Sequence, residues 1–138
     1  MLLDTNVVLD VLLKRQPHAA DAAWLFGQVE RGHLDGLLGA TTLTTIHYVA
    51  RKTLGDAETR GHVGTLLRLF EVAPVTRAVL EDALALPFGD FEDAVLHEAA
   101  RHAGAEGVVT RNVADFTRAS LSVYTPSELR AALQQDAG

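Results

Sequence analysis

Met1-Leu2-Leu3-Asp4-Thr5-Asn6-Val7-Val8-Leu9 opens the chain. Three apolar residues stop abruptly at a polar triplet. A wholly apolar run this short, bounded by polar residues, reads as a strand buried on both faces. Residues 7–13 are again apolar apart from Asp10, and they predict a helix. The opening unit is therefore strand, polar corner, helix.

Working outward, the same alternation continues to the other end. Lys14-Arg15-Gln16-Pro17 breaks the first helix, and Pro17 suits the first turn of a second. That helix runs to about Arg31-Gly32 and turns Ala20, Ala23, Trp24 and Val29 toward a core. Residues 34–40 read as a second strand. Thr41 and Thr42 open a helix to about Leu54, and Gly55-Asp56 restarts the chain into another carrying Val63, Leu66, Leu67 and Phe70. Residues 71–75 form a third strand, and Thr76 caps a helix through about Ala85. After a loop at 86–89, residues 90–103 predict a helix with Phe91, Ala94, Val95 and Ala99 inward. Strands at 107–110 and 121–124 flank a turn or short helix at 112–116, and a helix over 126–135 closes the chain. Short apolar strands separated by helical crossovers imply a parallel sheet covered on both faces. The fold class is α/β, a three-layer α/β/α sandwich, with residues 1–138 as a single domain.

Composition narrows the function. The 138 residues are 48% hydrophobic and 22% charged, as in ordinary globular proteins. Absence of cysteine excludes disulfides, thiolate nucleophiles and cysteine-ligated metal. No basic leader precedes Asp4, and no run approaches a membrane span. The expected location is the cytoplasm, away from the membrane. Net charge is -6, with 18 acidic against 12 basic residues. Charge-driven nucleic-acid binders are usually basic. The negative charge therefore marks either a different partner or a place where a cation works.

In open parallel sheets, sites form beyond the carboxyl ends of the strands. Asp4 follows the first strand. Thr110-Arg111-Asn112-Val113-Ala114-Asp115-Phe116 follows the fourth, and Gly89-Asp90-Phe91-Glu92-Asp93-Ala94 opens the helix leading into it. Singly, Asp4, Asp90 and Asn112 also read as helix caps, with Asp93 and Asp115 as first-turn acids. Together, carboxylates from distant parts of the chain at one edge repel one another and raise each other's pKa. Binding a hard cation through carboxylate oxygens removes that conflict. Mg²⁺ or Mn²⁺ held so can activate water and steady phosphoryl transfer.

The combination Leu-Leu-Asp4-Thr-Asn6-Val, Asp93-Ala-Val-Leu and Val-Thr110-Arg-Asn112-Val-Ala-Asp115-Phe resembles the PIN-domain ribonucleases, over about residues 1–128. Many small prokaryotic members are the toxins of VapBC-type toxin–antitoxin pairs. The resemblance implies strand order 3-2-1-4-5 and Mg²⁺- or Mn²⁺-dependent hydrolysis of RNA to 5′-phosphate and 3′-hydroxyl ends. It places Asp4, Asp93 and Asp115 as metal-binding acids, with Asn6, Thr110 and Asn112 in polar supporting positions. It further implies an antitoxin whose Arg or Lys meets the acids, and a homodimer. Apolar helix surface around Trp24, Phe26 and Phe70 reads as an antitoxin groove, a dimer face or simple core.

One departure stands out. The family usually carries a further acid early in the helix after the second strand. Here Thr45 falls in that place, or His47 with a slip. Asp90 and Glu92 are candidate substitutes, Asp90 sharing a helical face with Asp93, and Asp10 is a weaker one. The absent acid keeps open a second reading, a PIN-like module that binds RNA or protein through a weakened metal site. Arg111 reads as either a phosphate contact or a solvent-facing residue. Lys14, Arg15, Arg51 and Lys52 read equally as RNA contacts or solvated surface.

Other chemistries fit poorly. His97-Glu98-Ala-Ala-Arg101-His102 resembles His-Glu-x-x-His, but its second histidine comes five residues on, about 140° round a helix. Asn6 stands where haloacid-dehalogenase-like sites need a second Asp. A phosphoacceptor signalling domain needs a Lys where Tyr124-Thr125-Pro126 stands. No phosphate-binding Gly-x-x-x-x-Gly-Lys loop, dinucleotide fingerprint or Gly-x-Ser-x-Gly elbow occurs.

Overall fold

The computed structural model describes residues 1–137; Gly138, the last residue of the expected 1–138 domain, lies outside the described residues. Elements alternate along the chain as β1 (Leu2–Leu3), α1 (Thr5–Leu12), α2 (Ala19–Glu30), β2 (Leu37–Gly39), α3 (Ala40–Leu54), α4 (Asp56–Leu69), β3 (Glu71–Ala73) and α5 (Arg77–Ala85). There follow α6 (Phe91–His102), β4 (Gly107–Val109), a 3₁₀ turn (Val113–Phe116), β5 (Ser122–Tyr124) and α7 (Pro126–Ala137). The strands form one sheet in the order β3-β2-β1-β4-β5. All pairings are parallel, with Leu2 opposite Leu37 on one side and Val108 on the other. This is the expected three-layer architecture and strand order.

Side chains alternate across the short strands, as the pleat requires. Leu3, Leu38 and Val109 face a core built with Val7, Val8, Leu25, Ile46, Leu66 and Leu129. That core belongs to α1–α4 and α7. Leu2 and Val108 face the opposite core, closed by Val79 of α5, by Ala94, Val95, Leu96 and Ala99 of α6, and by Phe116. Gly39 ends β2 where a Cβ would stand 2.6 Å from Leu96 Cδ2, so its missing side chain lets α6 lie close to the sheet.

Boundaries and helix faces differ from the expectation in specific ways. The first helix begins at Thr5, not residue 7, because Asp4 caps it: Oδ1 accepts from the Thr5 N–H at 2.7 Å. The second and third strands span three residues each, and Pro74, which cannot donate to a ladder, lies just beyond the third. In α2 the buried stripe is Ala19, Ala22, Leu25 and Val29, so Ala20 and Ala23 point outward. Leu67 and Phe91 are exposed at 52% and 49%. Leu67 sits beside the buried Leu66, and Phe91 lies a turn before the buried face that begins at Ala94, so apolar character alone does not set helical phase. Among the described residues no helix is long and apolar enough to cross a membrane.

Candidate active site

The sheet order sets β1 beside β4, so Asp4 and Thr110 leave adjacent strands at the same edge. The Asp4 N–H donates to the Val109 carbonyl at 2.8 Å. Thr110 Oγ1 donates to Asp4 Oδ2 at 2.8 Å and accepts from the Asn112 N–H at 3.1 Å. Asn6 Nδ2 reaches both Asp4 Oδ2 and Thr110 Oγ1 at 3.4 Å, and Asn6 Oδ1 accepts from the Arg111 N–H at 3.4 Å. Thr5 Oγ1 meets Thr42 Oγ1 at 3.0 Å, linking the corner to α3. Asp4 is buried, 6% exposed, and both its oxygens are oriented.

The other acids arrive from α6 and the 3₁₀ turn. Asp90 caps α6, its Oδ1 accepting from the Asp93 N–H at 3.1 Å. This is the cap its sequence position suggested, and it leaves Oδ2 outside the capping bond. Asp115 is exposed on the 3₁₀ turn, where its N–H donates to the Asn112 carbonyl at 3.0 Å. Asp90 and Asp115 line one groove, together with Phe88 and Arg118.

Electrostatics tie the four carboxylates together. Burial pushes the Asp93 carboxyl up to about 7, with the charges of Asp4, Asp90, Asp115 and Glu92 adding to it. Burial also raises Asp4. The Thr110 hydroxyl and Thr5 N–H oppose the rise, and Asp115 and Asp90 reinforce it. The expectation that acids at one edge raise one another is met at Asp4 and Asp93, with the charges of Asp90 and Asp115 contributing to both. An all-oxygen, multi-carboxylate set of this kind suits a hard divalent cation, so the residues present fit Mg²⁺ or Mn²⁺.

Other sequence candidates lie elsewhere or are already engaged. Thr45 Oγ1 turns back onto its own helix and donates to the Thr41 carbonyl at 3.1 Å. His47 pairs with Asp56 at 3.0 Å. Neither replaces the absent acid. Asp10 is fully buried and accepts from Arg111 Nε and Nη2 at 2.5 and 3.2 Å, so it is spent on a cation of the protein itself. Glu92 is exposed in the first turn of α6. Arg51 and Lys52 stack over the Tyr48 ring, at 5.6 and 4.3 Å from its centroid. Phe70 is core, packed edge-on against Phe26 at 5.1 Å, and Trp24 lies beneath Arg130.

A second cluster was not foreseen as a unit. Ligand atoms of Asp82, Glu98 and His102 lie within 4.8 Å of one another. Arg101 threads between them, however, with Nη2 donating to Asp82 at 3.1 Å and to Glu98 at 3.0 Å. The cluster already holds its cation. The same segment fixes His97, which is buried. Its Nε2 accepts from the Ser120 and Leu121 N–H groups at 3.1 and 3.3 Å. Two donors at Nε2 place the proton on Nδ1, which donates to Glu98 Oε2 at 2.9 Å. The near-zinc motif is therefore a strut between α6 and the loop after Asp115.

A parallel α/β sandwich that gathers carboxylates where two central strands end defines an acidic-site domain suited to a hard cation. The PIN domain family model matches residues 1–114, and the chain belongs to the PIN-domain family. The fold is shared with a toxin–antitoxin complex from Klebsiella pneumoniae at 22% identity and TM-score 0.69, covering 91% of this chain and 96% of that one. DNA-bound VapBC from Salmonella typhimurium is similar at 20% identity and TM-score 0.69, over 91% and 96% of the two chains. The VapC20 toxin of Mycobacterium tuberculosis, described as cleaving the sarcin–ricin loop, is similar at 15% identity and TM-score 0.63, over 78% and 85%. The sequence matches no curated protein.

Proposed function

We propose that this chain is a metal-dependent endoribonuclease acting as the toxin of a toxin–antitoxin pair, a single domain over residues 1–138 that works in the cytoplasm. The observation that carries the reading is that Asp90 and Asp115 bring their charges to bear on the buried Asp4 and Asp93 at one edge of a PIN fold. Structural neighbours from toxin–antitoxin complexes, and one described as cleaving an RNA loop, support it.

In this reading Asp4, Asp93 and Asp115 hold Mg²⁺ or Mn²⁺, with Asp90 contributing from the α6 cap. The cation, when bound, supplies a Lewis acid and a water of lowered pKa. Thr110 and the Thr5 N–H hold Asp4 in one orientation, so that little reorganisation is left for the moment of reaction. Asn6 and Asn112 orient the RNA phosphate or water at the rim. A cognate antitoxin inhibits by placing an Arg or Lys among the acids, and the toxin is a homodimer.

Purified protein is expected to cleave single-stranded or structured RNA with Mn²⁺ or Mg²⁺, leaving 5′-phosphates, and Asp4→Asn is expected to abolish cleavage. Undiminished cleavage in EDTA, or full activity in Asp4→Asn, would refute the reading. RNA binding should likewise require the divalent cation, because the bare acids repel phosphate.

A further inference from the structure

Beside the acids lies a cleft of about 280 Å³ lined by His18, Asp21, Arg111, Thr125, Pro126 and Ser127. Arg111 connects the two places directly. It follows Thr110, which bonds Asp4, and its own N–H reaches Asn6. Its guanidinium turns away from the acids to Asp10, using Nε and Nη2. Among the described residues Nη1 has no protein partner.

On the Arg111 wall of the cleft cations outnumber acids, while on the opposite wall Glu128 Oε1 accepts from the Thr125 N–H at 2.8 Å. Asp10 is fully buried and shared by two arginines, since Arg15 Nη1 also approaches it at 3.8 Å. One carboxylate against two guanidiniums leaves a positive triad in a protein of net charge -6. The acid lining the cleft, Asp21, is paired with Arg130 at 3.2 Å. A buried carboxylate is costly unless paired, and here the pairing fixes the orientation of the Arg111 guanidinium, on a side chain that remains 27% exposed. With its fork spent on Asp10, the guanidinium offers Nη1 as a single charged donor of fixed orientation, suited to a phosphate oxygen.

We propose that this cleft is a phosphate subsite for the RNA strand, holding a backbone phosphate that flanks the bond presented to the acids. Arg111 donates to it through Nη1, with His18 and the hydroxyls of Thr125 and Ser127 on the far wall. Asp10 acts through Arg111 as a positioning residue. The proposal rests on the nuclease reading and adds the path of the strand, from the Asp4 edge past Arg111 toward the start of α7.

The test uses charge changes that spare the fold. Ser127 is exposed in the first turn of α7, where an added carboxylate is favoured by the helix dipole. Ala57 occupies the equivalent turn of α4, away from the cleft. Affinity for a fluorescent single-stranded RNA oligonucleotide is measured by anisotropy in Ca²⁺ across a salt series, with the full chain. Ser127→Asp is expected to weaken binding about tenfold at low salt and Ser127→Lys to tighten it, while Ala57→Asp leaves it within about twofold. Arg111→Gln is expected to flatten the logarithmic salt dependence by about one contact. If Ser127→Asp behaves like Ala57→Asp while wild type binds and cleaves RNA, the subsite is wrong and the nuclease reading stands. If wild type neither binds nor cleaves RNA, both fall.

Discussion

Asp93 carries most of the strain of the acidic edge, and its titration gives that strain a measurable sign. Its carboxyl is raised to about 7 by burial and by neighbouring acids, and Asp4 is raised in the same direction. A carboxyl raised on folding contributes stability below its unfolded value, and this is lost as pH climbs through the folded value. Asp56 and Glu98 are shifted downward, so their contributions change only in acid, below the ordinary carboxylate range. The window around pH 7 therefore belongs to Asp93, with the Met1 amino group, held below its ordinary value by burial, working in the opposite sense. Without divalent cation the midpoint of thermal unfolding is expected to fall across that window, and Asp93→Asn to flatten the fall and raise the midpoint at pH 8. A pH dependence as steep in Asp93→Asn as in wild type would contradict the burial and repulsion at this edge. At Thr45 the expectation runs the other way. Its hydroxyl is occupied only by its own helix, so Thr45→Glu should supply the absent acid and tighten Mn²⁺ binding several-fold in calorimetry.

At the scale of elements, α6 does two jobs that its sequence advertises unequally. Asp90 and Asp93 were legible because capping chemistry and paired acids have a fixed spacing. His97 was not, because its partners are backbone N–H groups of Ser120 and Leu121, more than twenty residues away, and no side-chain pattern records them. Losing the acceptor leaves two buried or partly buried donors unsatisfied, at about 1–3 kcal/mol each. His97→Phe is accordingly expected to destabilise by about 2–4 kcal/mol in urea unfolding and to raise hydrogen exchange around residues 117–121. His97→Gln, whose Oε1 can accept, should recover part of both. The helix faces tell the same story. Leu66 and Ala94 were placed inward correctly, whereas Leu67, Phe91, Ala20 and Ala23 were not. Apolar residues next to the stripe are decided by packing against the sheet and the neighbouring helices rather than by hydropathy.

For the whole molecule, the alternation of short apolar strands with helical crossovers was enough to reach a three-layer parallel sheet. The strand order came only through the resemblance carried by Asp4-Thr5-Asn6 and Thr110-Arg111-Asn112, since apolar strands two or three residues long hold no register information of their own. The order matters because it brings residue 4 beside residue 110. A cation bound there holds together segments nearly the length of the chain apart. Binding the native state alone, it should stabilise by about 2.7 kcal/mol at a hundredfold excess over Kd. Mn²⁺ is therefore expected to raise the unfolding midpoint at pH 8 in wild type and not in Asp4→Asn.

The sheet order has one more consequence. Gly55, with φ of +85°, separates α3 from α4. Cutting the chain there would yield one piece with β1, β2 and Asp4, and another with β3, β4, β5, Asp90, Asp93 and Asp115. In the order β3-β2-β1-β4-β5 the first piece slots its two strands between those of the second. Neither piece owns the full acid set, so tight Mn²⁺ uptake would report their complementation, making this small domain a two-part sensor of proximity for whatever is fused to its halves.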